Sequence, residues 1–513
     1  MKHLKKLAAL LLAVVMTMAM SMTAFAADAT TYTLTLTGTT TGHTYEAYQI
    51  FTGNLSGTTL SNIEWGTGVK DTDKLVAALK ADNTLKATFG SVTDAASVAE
   101  ALSAAKDDAV ARAFATVVSQ YLSDTKTSKD STATSTEITG LSAGYYLVKD
   151  KDNSIDSTKK DAYTRFILQV VGNTSVAVKS DVPTVEKKVK DTNDSDGTTT
   201  GWQDSADYDI GDSVPYQITG TMPSNIADYT TYKYVFTDTM SAGLTYTAGT
   251  AKIKIYSNAA DVEDETKGTD VTSAFTEEVN GQTVTWTCDD LIKKTGIKLT
   301  ADTKVVVTYS AKLNENAVVG SAGNPNWVNL TYSNNPNKNG EGETGKTPDD
   351  KNIVFTYETV VNKVDQDKKS LAGAGFTLQK KVNGTYTDVK TFAAGTDTMF
   401  TFTGLDDGEY KLIESTTPDG YNTIAPVEFT ISAEHDTESV EPKLTKLSVD
   451  ETSDEAEFTV DTNTGSLTTD IVNKKGSTLP STGGAGTRMF YVFGGCLVAA
   501  AVVLLALKKR KEA

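Results

Sequence analysis

The sequence predicts a mainly β chain of tandem β-sandwich domains, the first with a helical insertion, between an N-terminal signal peptide and a C-terminal transmembrane helix. Three observations carry this. Short runs rich in Val, Thr, Tyr and Ile recur between turn residues along most of the chain. Only the stretch from Thr72 to about Leu122 has helical spacing with abundant alanine. The two ends are apolar runs flanked by basic residues. At 513 residues the chain is long enough for roughly three domains of about 100–200 residues.

Residues 1–26 read as the signal peptide. Lys2, Lys5 and Lys6 precede the apolar run "LAALLLAVV", and Ala24-Phe25-Ala26 gives a small-x-small cleavage site. Residues 27–181 form the first domain. In it "TYTLTLTG" and "HTYEAYQIF" are strands, "KLVAALKADNTL" and "SVAEALSAAKDDAVARAFATVVSQYL" are helical, and "GLSAGYYLVKD" and "TRFILQVVG" return to strand. The alanine-rich stripe reads as packing. Residues 182–350, from "TVEKKV" and "SVPYQITG" to "KVVVTYSAKL" and "VNLTYS", have the strand spacing of a sandwich. Residues 351–475 are again short strands, and residues 476–513 hold a flexible stalk, "KGSTLPSTGGAGTR", followed by the membrane segment. That segment, "MFYVFGGCLVAAAVVLLAL", is uncharged and long enough to span a bilayer, and "KKRK" after it holds the cytoplasmic side. Everything between the two ends is expected outside the cell.

The formal charge of −18 understates the exported part. Setting aside the eight basic residues and Glu512 of the two ends leaves 40 bases against 65 acids, a net of −25. A surface this acidic argues against nucleic acid as a partner. Of the two cysteines, Cys496 lies in the membrane segment and Cys288 follows Val284 and Trp286 on one strand face, so no intrachain disulfide is expected. Three histidines, one of them His3 in the signal, argue against a zinc site or a histidine-based triad, and no cofactor or metal is expected. "DTNDSDG", Asp191 to Gly197, is acidic but fails the EF-hand spacing and reads as a solvated turn.

Two motifs point further. "LPSTG", comprising Leu479, Pro480, Ser481, Thr482 and Gly483, stands before the apolar segment and basic tail. "YKLIESTTPDGY", Tyr410 to Tyr421, places Tyr410, Leu412 and Glu414 on one strand face, which turns a carboxylate into an apolar interior.

The first motif resembles the LPxTG sorting signal of Gram-positive surface proteins, which implies that a sortase cleaves between Thr482 and Gly483 and joins the threonine carbonyl to an amine. The second resembles the E-box of Gram-positive pilins, and "VVNKVDQDKKSLAGAGFTLQK" resembles the start of a Cna-B-type, SpaA-like domain. Together these resemble a sortase-assembled major, or backbone, pilin built of Ig-like, Cna-type sandwiches. The resemblance implies an intramolecular isopeptide bond between Lys363 and Asn473 in "DIVNKKG", assisted by Glu414. It implies a second in the middle domain, between Lys187 and an asparagine, assisted by Asp238. Lys187 sits between Val185 and Val189, and Asp238 follows Tyr234 and Phe236, so alternation turns both inward. For the acceptor, Asn326 shares the face of Val328, Leu330 and Tyr332; Asn329 falls on the other face, and Asn324 is a further possibility.

The same resemblance implies an exposed lysine that receives the Thr482 acyl group of the next subunit, and Lys179 in "SVAVKSDVP" stands at that place, although no Tyr-Pro precedes it. The expected partners are pilus-specific and housekeeping sortases, other copies of the chain, tip or basal pilins, peptidoglycan, and a host or bacterial surface ligand that the sequence does not identify. The expected function is the major structural subunit of a covalently polymerised, wall-anchored pilus supporting adhesion. It is a sortase substrate and not an enzyme, since its only chemistry is single-turnover and on itself. A monomeric wall-anchored adhesin using the same domains as a stalk is the alternative.

Overall fold

A computed structural model describes residues 30–476 apart from 106, 157–159, 179–181, 339–341 and 453–454, with a few helical residues between 493 and 501. The signal peptide, Lys179, the LPSTG motif and most of the membrane segment lie outside the described residues. Among the described residues no helix is long and apolar enough to cross a membrane.

The chain is mainly β, as its alternating runs predict. In the first part, strand Thr31–Thr37 pairs antiparallel with Ser135–Ser142 and parallel with Thr174–Ala177. A second sheet runs in the order Thr59–Trp65, Thr44–Ser56, Gly144–Asp150, Arg165–Val170. The helical insertion comprises Thr72–Ala81, Lys86–Phe89, Ala95–Ala104 and Asp108–Val118. Asp94 starts the third of these helices with a capping box, accepting from the Ser97 amide while Ser97 Oγ accepts from its own. Leu75, Leu79, Phe89, Phe114 and Val118 project from these helices into one core with Phe51 and Leu147 of the sheet. The alanine-rich stripe is therefore packing.

The second part is a sandwich of two sheets around a core that includes Trp286, Tyr234, Phe236 and Val307. Its first strand, Val185–Val189, pairs antiparallel with Ser213–Thr221 in one sheet. Its last strand, Asp350–Phe355, lies in the other sheet, antiparallel to Asn324–Ser333 and parallel to Ser205–Asp207. Alternation along this last strand divides it between two cores: Val354 faces the second sandwich, and Ile353 and Phe355 face the third.

The third part has a four-stranded sheet ordered Met399–Leu405, Tyr357–Asp365, Ser466–Asn473, Phe458–Asp461. Against it packs a five-stranded sheet from Thr385–Phe392 to Leu444–Glu451, with Gly408–Thr416 at its centre. First and last strands are adjacent and parallel, with Lys363 opposite Ile471 and Asp365 opposite Asn473.

Sandwiches two and three meet closely. A Cβ on Gly320, at φ +85°, would stand 2.5 Å from the Thr464 backbone, so only glycine fits there. The segment read as a solvated turn, Asp191 to Gly197, instead packs on the third sandwich. Asn193 Nδ2 donates to Asp407 Oδ1 (2.8 Å), and Ser195 Oγ accepts from the Glu409 amide (2.9 Å). Asn193 and Ser195 thus pair with partners 214 residues away, which local pattern does not reveal.

Candidate functional site: two buried lysine–acid–asparagine clusters

In the third sandwich, alternation along Gly408–Thr416 buries Tyr410, Leu412 and Glu414 together, which answers why a carboxylate points inward. Across the core, Lys363 and Asn473 sit on the adjacent parallel strands, both wholly buried. Lys363 Nζ donates to the Ile471 carbonyl (2.8 Å) and the Val364 carbonyl (3.2 Å) and stands 4.0 Å from Glu414 Oε1. Asn473 Nδ2 donates to Glu414 Oε2 (3.1 Å) and to the Asn422 carbonyl (2.8 Å). Thr417 Oγ1, Thr423 Oγ1 and the Ile424 amide also donate to Glu414 Oε2. Glu414 Oε1 and Asn473 Oδ1 are left without partners. Burial pulls the Lys363 ammonium down to about 8, against the opposing pull of Glu414, so a minority of its amine is neutral and nucleophilic at physiological pH.

In the second sandwich, Lys187 and Asp238 are wholly buried and in direct contact through Nζ and Oδ2. Tyr309 joins the pair: its hydroxyl accepts from Lys187 Nζ (2.6 Å), donates to Asp238 Oδ2 (2.9 Å) and accepts from Asn326 Nδ2 (2.8 Å). Asp238 Oδ1 and Asn326 Oδ1 have no partner. Burial lowers the Lys187 amine and raises the Asp238 carboxyl, each against the attraction of the other. Both shifts favour the neutral amine facing a protonated acid.

Of the three asparagines the sequence left open, only Asn326 reaches this cluster. Asn324 spends its amide on Val318 and the Val354 carbonyl, and Asn329 Nδ2 donates to Asp349 (2.9 Å). Sequence reasoning missed Tyr309 and Asn352. Tyr309 follows Val305 and Val307 in alternation, a signal for burial but not for its hydroxyl's place among three reactive groups. Asn352 is the cross-strand neighbour of Asn326 and shares the inward face of Val354; it is fully buried, and neither amide atom has a partner. Alternation in "DKNIVF" carried that signal. Asp350, on the same strand, accepts the Lys187 backbone amide (2.6 Å) and ties first strand to last.

Three stretches of the chain match known families. Residues 210–336 match the model for the Gram-positive pilin backbone subunit 2, Cna-B-like domain, and residues 358–446 match the SpaA prealbumin-like fold domain. Residues 471–513 match the LPXTG cell wall anchor motif. The chain carries the domains and the wall anchor of a Gram-positive backbone pilin. This backbone pilin is a cell-wall-anchored structural subunit of the bacterial surface and not an enzyme. It is 27% identical over 407 residues, covering 66% of the chain and 71% of the relative, to the trypsin-resistant surface T6 protein of Streptococcus pyogenes serotype M6. Its fold resembles the solved T6 backbone pilin of the same serotype, at a TM-score of 0.55 and 16% identity, over 88% of this chain and 100% of that one.

Proposed function

We propose that this pilin is the shaft-forming subunit of a sortase-polymerised, wall-anchored pilus that supports adhesion, and that its second and third sandwiches each close an internal Lys–Asn amide bond. The convergence, in each of the two sandwiches, of a wholly buried lysine, an inward acid and a buried asparagine carries this reading. A surface protein gains nothing from such costly burial unless the groups are consumed or paired.

The chemistry follows from the burial. The neutral lysine Nζ attacks the asparagine Cγ; the acid carries the proton that the attacking nitrogen loses to the leaving nitrogen, and ammonia departs as the new amide forms. With the Asn473 amide turned by half a rotation, its Oδ1 faces Glu414. In the second sandwich Tyr309 relays protons between Lys187, Asp238 and Asn326. The fold supplies proximity, a term of roughly 7–11 kcal/mol in well-oriented intramolecular reactions. The intermolecular step needs the opposite environment: Lys179, at the end of the first domain, attacks the acyl group that a sortase holds at Thr482 after releasing the chain from Gly483 onward. One sortase would build the fibre and another attach it to peptidoglycan, with tip or basal pilins at its ends.

Denaturing gels of wall extracts test this reading. A high-molecular-weight ladder is expected from the wild type, and monomer alone from Lys179→Ala. A ladder that persists in the variant refutes Lys179 as the joining residue, and a wild type without one favours the monomeric adhesin. A second acceptor is favoured by a specific observation, the unpartnered amide of Asn352. Intact masses decide between them: against its own sequence mass, Asn326→Ala should show one ammonia loss fewer than wild type and Asn352→Ala should show as many.

A further inference from the structure

Tyr309 serves the nitrogen of Asn326 and leaves its oxygen bare. The Tyr309 hydroxyl gives its proton to Asp238 Oδ2 (2.9 Å) and accepts from both Lys187 Nζ (2.6 Å) and Asn326 Nδ2 (2.8 Å), which fixes the amide with its nitrogen toward the tyrosine. Lys187 Nζ is also held 5.0 Å from the centre of each of the Tyr216 and Tyr309 rings, which stack on one another. Nucleophile, acid and leaving nitrogen therefore each have a place. Asn326 Oδ1 is buried and has no hydrogen-bond partner. Attack on Cγ drives an electron pair onto that oxygen, and an oxyanion in a dry interior needs a donor aimed at it.

A donor stands on the next strand. Asn352 is the antiparallel cross-strand partner of Asn326, and such partners hold their Cβ atoms about 4.5–5.5 Å apart on one face. Alternation puts Asn352 on the face of Val354, which packs in the core of the second sandwich, and Asn352 is itself wholly buried. Its Nδ2 and Oδ1 both lack partners, so turning the amide about its terminal torsion breaks no hydrogen bond. Its strand is also tied to the nucleophile, since Asp350, two residues earlier, accepts from the Lys187 backbone amide (2.6 Å). A wholly buried amide with both ends unmet destabilises the resting fold, whereas leucine would fill nearly the same space without that cost.

We propose that Asn352 is the oxyanion donor of the second sandwich, its Nδ2 hydrogen-bonding the oxygen that becomes negative when Lys187 attacks Asn326. The assignment rests on the bond-forming reading of this cluster. The Lys187 Nζ lone pair forms the new bond to Asn326 Cγ, and the carbonyl π pair moves to Asn326 Oδ1, where Asn352 meets it. One proton passes from Lys187 Nζ by way of Asp238 and Tyr309 to Asn326 Nδ2. The electron pair then returns from the oxygen, the Cγ–Nδ2 bond breaks with its electrons on nitrogen, and ammonia leaves. Asp238 and Asn352 end as they began, so the Asn352 amide is kept.

The test follows closure in time. The full-length chain is made by cell-free synthesis in mild detergent and translation is stopped. Samples quenched in acid at intervals are digested, and mass spectrometry scores the branched Lys187–Asn326 peptide against its linear counterparts. Loss of one oxyanion donor slows such a step by about 10²–10³-fold. Asn352→Leu should therefore slow closure by about 10²-fold or more, yet reach the wild-type number of ammonia losses on long incubation. Its linked form should melt no lower than wild type, which separates a role in the reaction from a role in packing. Asn352→Ala, also without a donor, keeps the test decisive if Asn352→Leu does not fold. Closure within threefold of wild type would overturn the proposal, as would slowing that tracks a fallen midpoint in both variants. A wild-type peptide joining Lys187 to Asn352 would overturn it too, by making Asn352 the acceptor. A wild type whose Lys187 and Asn326 stay linear refutes the bond-forming reading itself, a result seen before any variant is compared.

Discussion

Replacing Glu414 by alanine separates the chemistry of the third sandwich from its packing. The carboxylate lies between Lys363 and Asn473 and is the acid that meets both. Without it the amine and amide remain side by side with nothing to move protons, so Glu414→Ala should keep the ammonia that the wild type loses. The stability cost can be worked from the connectivity. A bond from Lys363 to Asn473 closes a loop of about 110 residues, and the chain-entropy model gives such a closure ~5 kcal/mol. For a domain of this size each kcal/mol moves the midpoint by about 4 °C, so unlinking should lower it by about 20 °C. Loss of the carboxylate also strands the buried donors that converge on Glu414 Oε2, at about 1–3 kcal/mol for each one left unsatisfied. Asn473→Ala removes the bond but keeps Glu414, so the difference between the two variants isolates that second cost. Calorimetry with intact mass on the same samples is the assay. A Glu414→Ala protein that still shows the third sandwich's ammonia loss against its own sequence mass, or one unlinked but melting within a few degrees of wild type, would refute the reasoning.

Other outcomes follow from the same geometry. Asp238→Ala should retain one ammonia in the second sandwich and leave the third linked, as peptide mapping of each domain would show. Tyr309→Phe should slow that closure without moving the bond, read as a mixture of linked and unlinked masses shortly after synthesis. Asn473→Ala leaves Lys363 unconsumed and buried, with its ammonium lowered to about 8. Between that value and the ordinary lysine value of ~10.4 the unfolded chain holds a proton that the folded one does not, so the variant's stability should rise with pH across this window. Urea midpoints of the variant that are flat or falling over the same range would contradict the burial argument.

Much of this was legible in the sequence because strand alternation is a local rule. It turned Lys187 rather than Lys188, and Glu414 rather than Ile413, toward an apolar interior, and both are buried where that rule puts them. The helical insertion was legible for a similar reason, since its alanine-rich periodicity is independent of distant partners. Tyr309 and Asn352 were not singled out. Alternation marks them as inward, but their importance arises from the meeting of five strands in two sheets. The junction was least legible. Asp191 and Asp194 look like a solvated turn until His435 and Lys380 arrive from the third sandwich, and a window along the chain contains neither.

Tandem mass spectrometry of wall-released fibre digested with protease tests the central claim most directly. The account predicts branched peptides joining Lys363 to Asn473 and Lys187 to Asn326, each lighter by one ammonia, and a third joining Thr482 of one subunit to Lys179 of the next. Linear peptides carrying unmodified Lys363, Lys187 and Lys179 throughout the digest would contradict it.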